Sequence, residues 1–197
     1  RFAISCTLAH AIAFASTAAA ADRDEAARAF TAAHPGAQFV EDGAAHRYYM
    51  IYGFRHQLDG DLIEAARELA YENAALLGLS SDETALEFDR IVSHRNQRYV
   101  KFSQTIDGLP VFGVKVIIQV NQYGEAIKMS SKAPTAPAQI GHVAVDADEA
   151  ALIAEQLTEE GEAVVATDGW LPLENLAVRV YQVLVNEPGP HRWATYV

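Results

Sequence analysis

The stretch RYVKFSQTIDGLPVFGVKVIIQVNQYGEAIKMSS, Arg98 to Ser131, decides the fold. It reads as three β-strands joined by two tight turns. In the first strand Val100, Phe102 and Ile106 point one way, and Tyr99, Lys101, Ser103 and Thr105 point the other. In the second, Phe112, Val114, Val116, Ile118 and Val120 share a face opposite Lys115 and Gln119. Period-2 alternation of this kind marks an antiparallel sheet with one face on a core and one toward solvent or a partner. Asp107-Gly108 and Tyr123-Gly124 are turn residues that tolerate positive φ. Pro110 follows the first turn, where a missing N–H is least harmful. Gln104 falls on the core face. A buried amide left without partners costs about 1–3 kcal/mol, so it is expected to bond backbone groups of the turn or of a neighbouring strand.

Working outward, Asp61 to Leu77 carries Leu62, Ile63, Ala66, Leu69, Ala70, Asn73 and Leu77 at spacings of three and four, with Gly78 placed as a C-terminal cap. That is an amphipathic helix. Asp22 to His34 is a shorter helix stopped by Pro35-Gly36. Residues 38–41, 46–54 and 85–94 read as strands, the second rich in aromatics that suit a pleated surface. After Ser131 the pattern breaks. KAPTAPAQIG, with its prolines, reads as an extended linker over 133–141. Asp146-x-x-Glu149 opens a helix to about residue 160 with a capping-box signature. Residues 162–166, 176–185 and 191–197 read as strands, with Gly169-Trp170 in the connection between the first two. The expected fold class is α+β: two small units, each a helix packed on an antiparallel sheet.

The 197 residues are half hydrophobic and carry a net charge of −11. One medium domain or two small ones fit that length. No basic patch is visible, so nucleic acid is not an expected partner. The opening RFAISCTLAHAIAFASTAAAA combines one basic residue, a short apolar run and small residues at its end, and reads as an N-terminally incomplete signal peptide over residues 1–21. The run is too short for a confident membrane span. Cys6 is the one cysteine and lies inside that segment, so residues 22–197 hold no disulfide. Secretion is the expected localisation, extracellular or periplasmic in transit. The chain ends at HRWATYV within a strand-like run, which suggests a piece of a longer precursor.

Chemistry is scarce. The histidines at 10, 34, 46, 56, 94, 142 and 191 include no pair three or four apart, and there is no His-Glu-x-x-His. Gly-x-Ser-x-Gly and phosphate-cradling loops are missing. The Asp-Gly pairs at 42–43, 59–60, 107–108 and 168–169 read as turns, without the spaced carboxylates of a calcium loop. No catalytic or metal-binding residue is assigned.

YVKFSQTIDGLPVFG nevertheless resembles the signature of the fungalysin/thermolysin propeptide (FTP) domain, carried by Phe102, Gln104, Gly108, Pro110, Val111, Phe112 and Gly113. The helix ending in Leu76, Gly78 and Leu79, and IYGF at 51–54, are similar to the family's upstream elements. Residues 142–197 resemble a PepSY domain. The resemblance implies an FTP-like domain over 22–132, a linker over 133–141 and a C-terminally truncated PepSY-like domain over 142–197. It implies the prodomain of a secreted zinc metallopeptidase, acting as intramolecular chaperone and temporary inhibitor of a protease domain in cis. The alternative is a stand-alone inhibitor or binding module acting in trans. Zinc, with calcium as an optional companion, is expected only in a protease domain not contained in this sequence. The segment after Val197 would enter the active-site cleft. The outward face of the meander, with Tyr99, Lys101, Lys115 and Gln119, is the candidate surface toward the partner.

Overall fold

A computed structural model describes residues 22–42, 47–79, 84–132, 138–140, 145–157, 162–173, 176–186 and 192–197. The proposed signal segment and Gly43 lie outside them. Helix α1 (residues 22–33) leads into β1 (Gln38–Asp42) and β2 (Arg47–Gln57). Helices α2 (Leu62–Glu72) and α3 (Ala74–Leu77) follow, then strands β3 (Thr84–His94), β4 (Gln97–Ile106), β5 (Leu109–Val120) and β6 (Glu125–Ser131). The second part comprises β7 (Ala138–Ile140), α4 (Ala147–Gln156), β8 (Glu162–Leu173), β9 (Leu176–Asn186) and β10 (Arg192–Tyr196). The fold class is α+β.

The central meander forms as its alternation requires. Val100, Phe102, Val116, Ile118 and Val120 are buried, together with Ile51 and Met129 from flanking strands. Ala66, Leu69 and Ala70 of α2 and Leu76 and Leu77 of α3 belong to the same core. Burying one such large aliphatic or aromatic side chain contributes roughly 1.5–3 kcal/mol. Phe30 of α1 joins them, edge-on to Phe54 at 5.1 Å. Asp107 (φ 52°) and Gly108 (φ 75°) make the predicted β4–β5 turn. In the β5–β6 turn, Asn121 Oδ1 accepts from the N–H groups of Tyr123 (2.9 Å) and Glu125 (3.0 Å).

Helix starts match their signals. Asp61 Oδ1 accepts from the N–H groups of Ile63 and Glu64, and Asp146 Oδ1 from Glu149 N–H at 2.9 Å. The expected single helix 61–77 is divided at Asn73 (φ −111°, ψ 27°), whose Nδ2 donates back to Leu69 O at 2.9 Å. Such a local side-chain bond competes with the helix ladder. Gly78 caps α3 in the left-handed conformation (φ 70°).

Three expectations change. Gly169-Trp170 is not a connection: β8 runs unbroken from Glu162 to Leu173, because every residue from Val165 to Leu173 has a register partner on β9. Asp168-Gly169 is accordingly strand, not turn. Residues 138–140 of the expected linker form β7, paired in parallel with Leu176–Val178 of β9. Finally, the two sheets are joined. β5 lies beside β6 and β4, and through Val111 it pairs in parallel with Trp170 of β8. One ten-stranded sheet results, in the order β1-β2-β6-β5-β8-β9-β10, with β3 on β4 and β7 on β9 off this path.

Candidate interaction site

The motif residues converge on the place where the two parts of the sheet meet. Ser103 pairs with Lys115, but Thr105 pairs with Pro110. One residue on β4, Gln104, therefore faces four on β5, Val111 to Val114. This is an enlarged β-bulge, the kind of irregularity that re-aims side chains and bends a strand. Gly113 supplies the reversal with φ 73°. A non-glycine residue there would be strained by about 1–2 kcal/mol. The bulge breaks the alternation expected through Phe112. Val111 enters the main core, whereas Phe112 is buried elsewhere, with its ring 5.8 Å from that of Tyr196.

Phe112 lies on Gly169. A Cβ at position 169 would stand 2.5 Å from Phe112 Cζ and 2.6 Å from Pro110 O, so only glycine fits under the ring. Trp170, 5% exposed, packs in the core of the first part, and its Nε1 donates to Ile106 O at 3.2 Å. Beside it, Asp168 receives two hydrogen bonds from Arg179 across the β8–β9 ladder, one of them Nε to Oδ1 at 3.1 Å. Those bonds, with further help from the Arg179 charge and the Gly169 N–H, hold the Asp168 carboxyl below its ordinary range. Pro-Val-Phe-Gly is thus the hinge block between the two sheets, and Phe102 and Gly108 serve the core and turn that lead into it.

Gln104 is 1% exposed, and its Oε1 has no hydrogen-bond partner among the described residues. The expected bond from the amide oxygen is not made. The residue sits opposite the bulge, where β5 has no register partner to offer it. Thr105, expected on the solvent side, is buried opposite Pro110, and its Oγ1 donates to Ala85 O at 3.4 Å.

The four candidate partner-facing residues do share one face, opposite α2 and α3. Tyr99 pairs with Gln119, Lys101 with Ile117, and Ser103 with Lys115. The Gln97 amide oxygen gathers Gln119 Nε2 (2.7 Å) and Tyr99 OH (3.0 Å). Lys115 Nζ donates to Ser103 Oγ at 2.7 Å and pairs with Asp89 Oδ2 at 3.1 Å. Lys101 has a different environment: its register partner on β3 is Arg90. Local sequence assigns Gly169 and Trp170 to a connection and gives Arg90 no role. Nothing local marks them, since each acts through a strand pairing set elsewhere in the chain.

His34 and His56, distant in sequence, bring their rings to 6.1 Å, and the His34 ring also lies tilted against Phe30 at 4.6 Å. Burial, and then the neighbouring His56, lower the His34 pKa from its usual value. Among the described residues no three His, Cys, Asp or Glu side chains converge as a metal site, and no helix is long and apolar enough to cross a membrane.

Residues 96–133 match the family model of the Fungalysin/Thermolysin Propeptide Motif. No curated protein matches the chain. Among solved structures it is similar to the Bacillus megaterium YpeB C-terminal domain, at 13% identity over 89% of this chain and 90% of that one, with a TM-score of 0.38.

Proposed function

We propose that this chain, which carries the fungalysin/thermolysin propeptide motif across β4, β5 and β6, is the prodomain of a secreted zinc metallopeptidase precursor. It acts on a peptidase domain as intramolecular chaperone and temporary inhibitor. The observation that carries this reading is the motif match over residues 96–133. The place of the motif in the fold supports it. Pro110 to Gly113 are spent on joining two sheets. Residues 22–132 form the FTP-like unit and 142–197 the PepSY-like unit, with their junction at Val111 and Trp170.

The physics of such a role is general. Many secreted proteases owe their persistence to a high unfolding barrier, and the same barrier slows folding. A domain that binds the folding transition state accelerates that step, and one that binds the folded product silences it. Attachment in one chain raises the effective concentration to the millimolar range for short linkers, so a modest intrinsic affinity suffices. Zinc belongs to the peptidase domain, where it would activate the water that attacks the peptide bond.

The test is inhibition. The purified chain should inhibit a thermolysin-like peptidase at submicromolar concentration and should raise the yield of active enzyme when that enzyme is refolded from denaturant. Failure of both, across several thermolysin- and fungalysin-like peptidases, would overturn the reading. Inhibition in trans combined with a stop codon directly after Val197 would favour the stand-alone inhibitor instead.

A further inference from the structure

The open face of the meander carries the opposite charge to the rest of the molecule. The chain as a whole holds 26 acidic and 15 basic residues. On this face Arg90, Lys101, Lys115 and Lys128 outnumber Glu87, Asp89 and Glu125, by the register of β3, β4, β5 and β6. Lys115 is neutralised by Asp89. Arg90 and Lys101 are not: they stand directly opposite each other across the β3–β4 ladder, and neither has an ion-pair partner among the described residues. Directly opposed like charges destabilise a sheet. The pair is therefore a cost to the isolated chain that carboxylates placed between the two cations would remove.

The surroundings suit a protein surface. Val92 and Tyr52 on the same face are more than a third exposed. Tyr99 is held in place through Gln97, which limits the side-chain entropy lost on docking. Helices α1, α2 and α3 pack against the core on the other face.

The geometry points to the Arg90–Lys101 pair as the anchor of a docking surface for an acidic, carboxylate-bearing face of the peptidase domain. This rests on the prodomain reading and adds to it the chemistry of the contact. Electrostatic complementarity of this kind acts through on-rate and specificity and is weakened by salt.

The experiment measures inhibition of thermolysin, as the probe peptidase, by the full 197-residue chain and by R90E/K101E. The double variant keeps two like charges opposed, so its fold and melting temperature should match the parent. Its inhibition constant should weaken by about tenfold or more. That of the parent should weaken as sodium chloride rises from about 50 to about 500 mM. R28E, on the exposed side of α1, should inhibit like the parent. Equal inhibition by R90E/K101E and the parent would overturn the docking surface and leave the prodomain reading standing. No inhibition by the parent of thermolysin or any related peptidase would overturn both. A parent dimer in sedimentation that R90E/K101E dissolves would make a second copy of this chain the occupant, and would also overturn the proposal.

Discussion

Replacing Gly169 by alanine tests whether the Pro-Val-Phe-Gly bulge joins the two parts of the sheet. The new Cβ would stand 2.5 and 2.6 Å from two ring carbons of Phe112 and 2.6 Å from Pro110 O. Carbon atoms rest at about 3.5–4.0 Å, so the overlap is about 1 Å. If the ring alone moved, Phe112 would lose burial worth about 1.5–3 kcal/mol. Ring motion does not clear the carbonyl of Pro110, which is backbone. Strand β8 must then recede, weakening the Val111–Trp170 pairing and the Trp170 bond to Ile106 O, the latter worth about 0.5–1.5 kcal/mol. The expected loss is about 2–4 kcal/mol. At roughly 2–4 °C per kcal/mol for a chain of this size, the melting temperature should fall by about 5–15 °C. Calorimetry gives the shift. Trp170 fluorescence in a Trp193→Phe background reports whether the tryptophan leaves its site. Gly113→Ala is the companion: no atom lies within 4 Å of its Cβ, so only the backbone strain of about 1–2 kcal/mol applies. Phe112→Ala combined with Gly169→Ala should cost less than the sum of the single changes, since the ring that clashes is gone. A Gly169→Ala protein melting within about 1 °C of the parent, or strict additivity of the pair, would refute the argument.

Three further outcomes are expected. Gln104→Leu removes a buried amide oxygen that lacks a partner among the described residues while keeping most of the volume, so denaturant unfolding should show stability unchanged or raised by up to about 1–3 kcal/mol; a loss of that size would mean the amide is satisfied after all. His34 has a folded-state pKa below its unfolded value, so the unfolded chain binds the proton more readily. Stability contributed by neutral His34 is thus complete above the unfolded pKa of about 6.5 and falls as pH drops toward the folded pKa; His34→Phe should flatten that part of the stability–pH curve, as urea midpoints at several pH values would reveal. Lys101→Glu turns the opposed cations into an ion pair and should stabilise the isolated chain by about 0.2–1 kcal/mol in urea titrations, while the same change weakens inhibition of a peptidase; lowered stability would contradict the cross-strand register.

Much of the fold lies open in local sequence. Alternation over 98–103 and 114–120 reports burial directly, because in a strand successive side chains leave on opposite faces. Asp107-Gly108, Asp61 and Asp146 announce a turn and two helix starts through groups a few residues apart. Other features depend on partners far along the chain. The bulge at 111–114 is invisible to alternation, since it arises from an unequal residue count between β4 and β5. Asp168-Gly169 looks like a turn by composition, yet β9 on one side and Phe112 above make it strand. Arg90 and Lys101 become a pair only through the β3–β4 register, which is set by a hairpin whose turn, with Arg95 at φ 53°, has no glycine to mark it.

The sequence alone thus determined the meander, its helices and the motif that links this chain to fungalysin/thermolysin propeptides. These follow from side-chain periodicity and from turn chemistry acting within a few residues. The tertiary structure decided that the motif is a junction, that Gly169 and Trp170 complete it, and that two cations stand opposed on the open face with no ion-pair partner among the described residues. Each of those depends on which strand lies beside which, and strand pairing is settled by burial summed over the whole sheet.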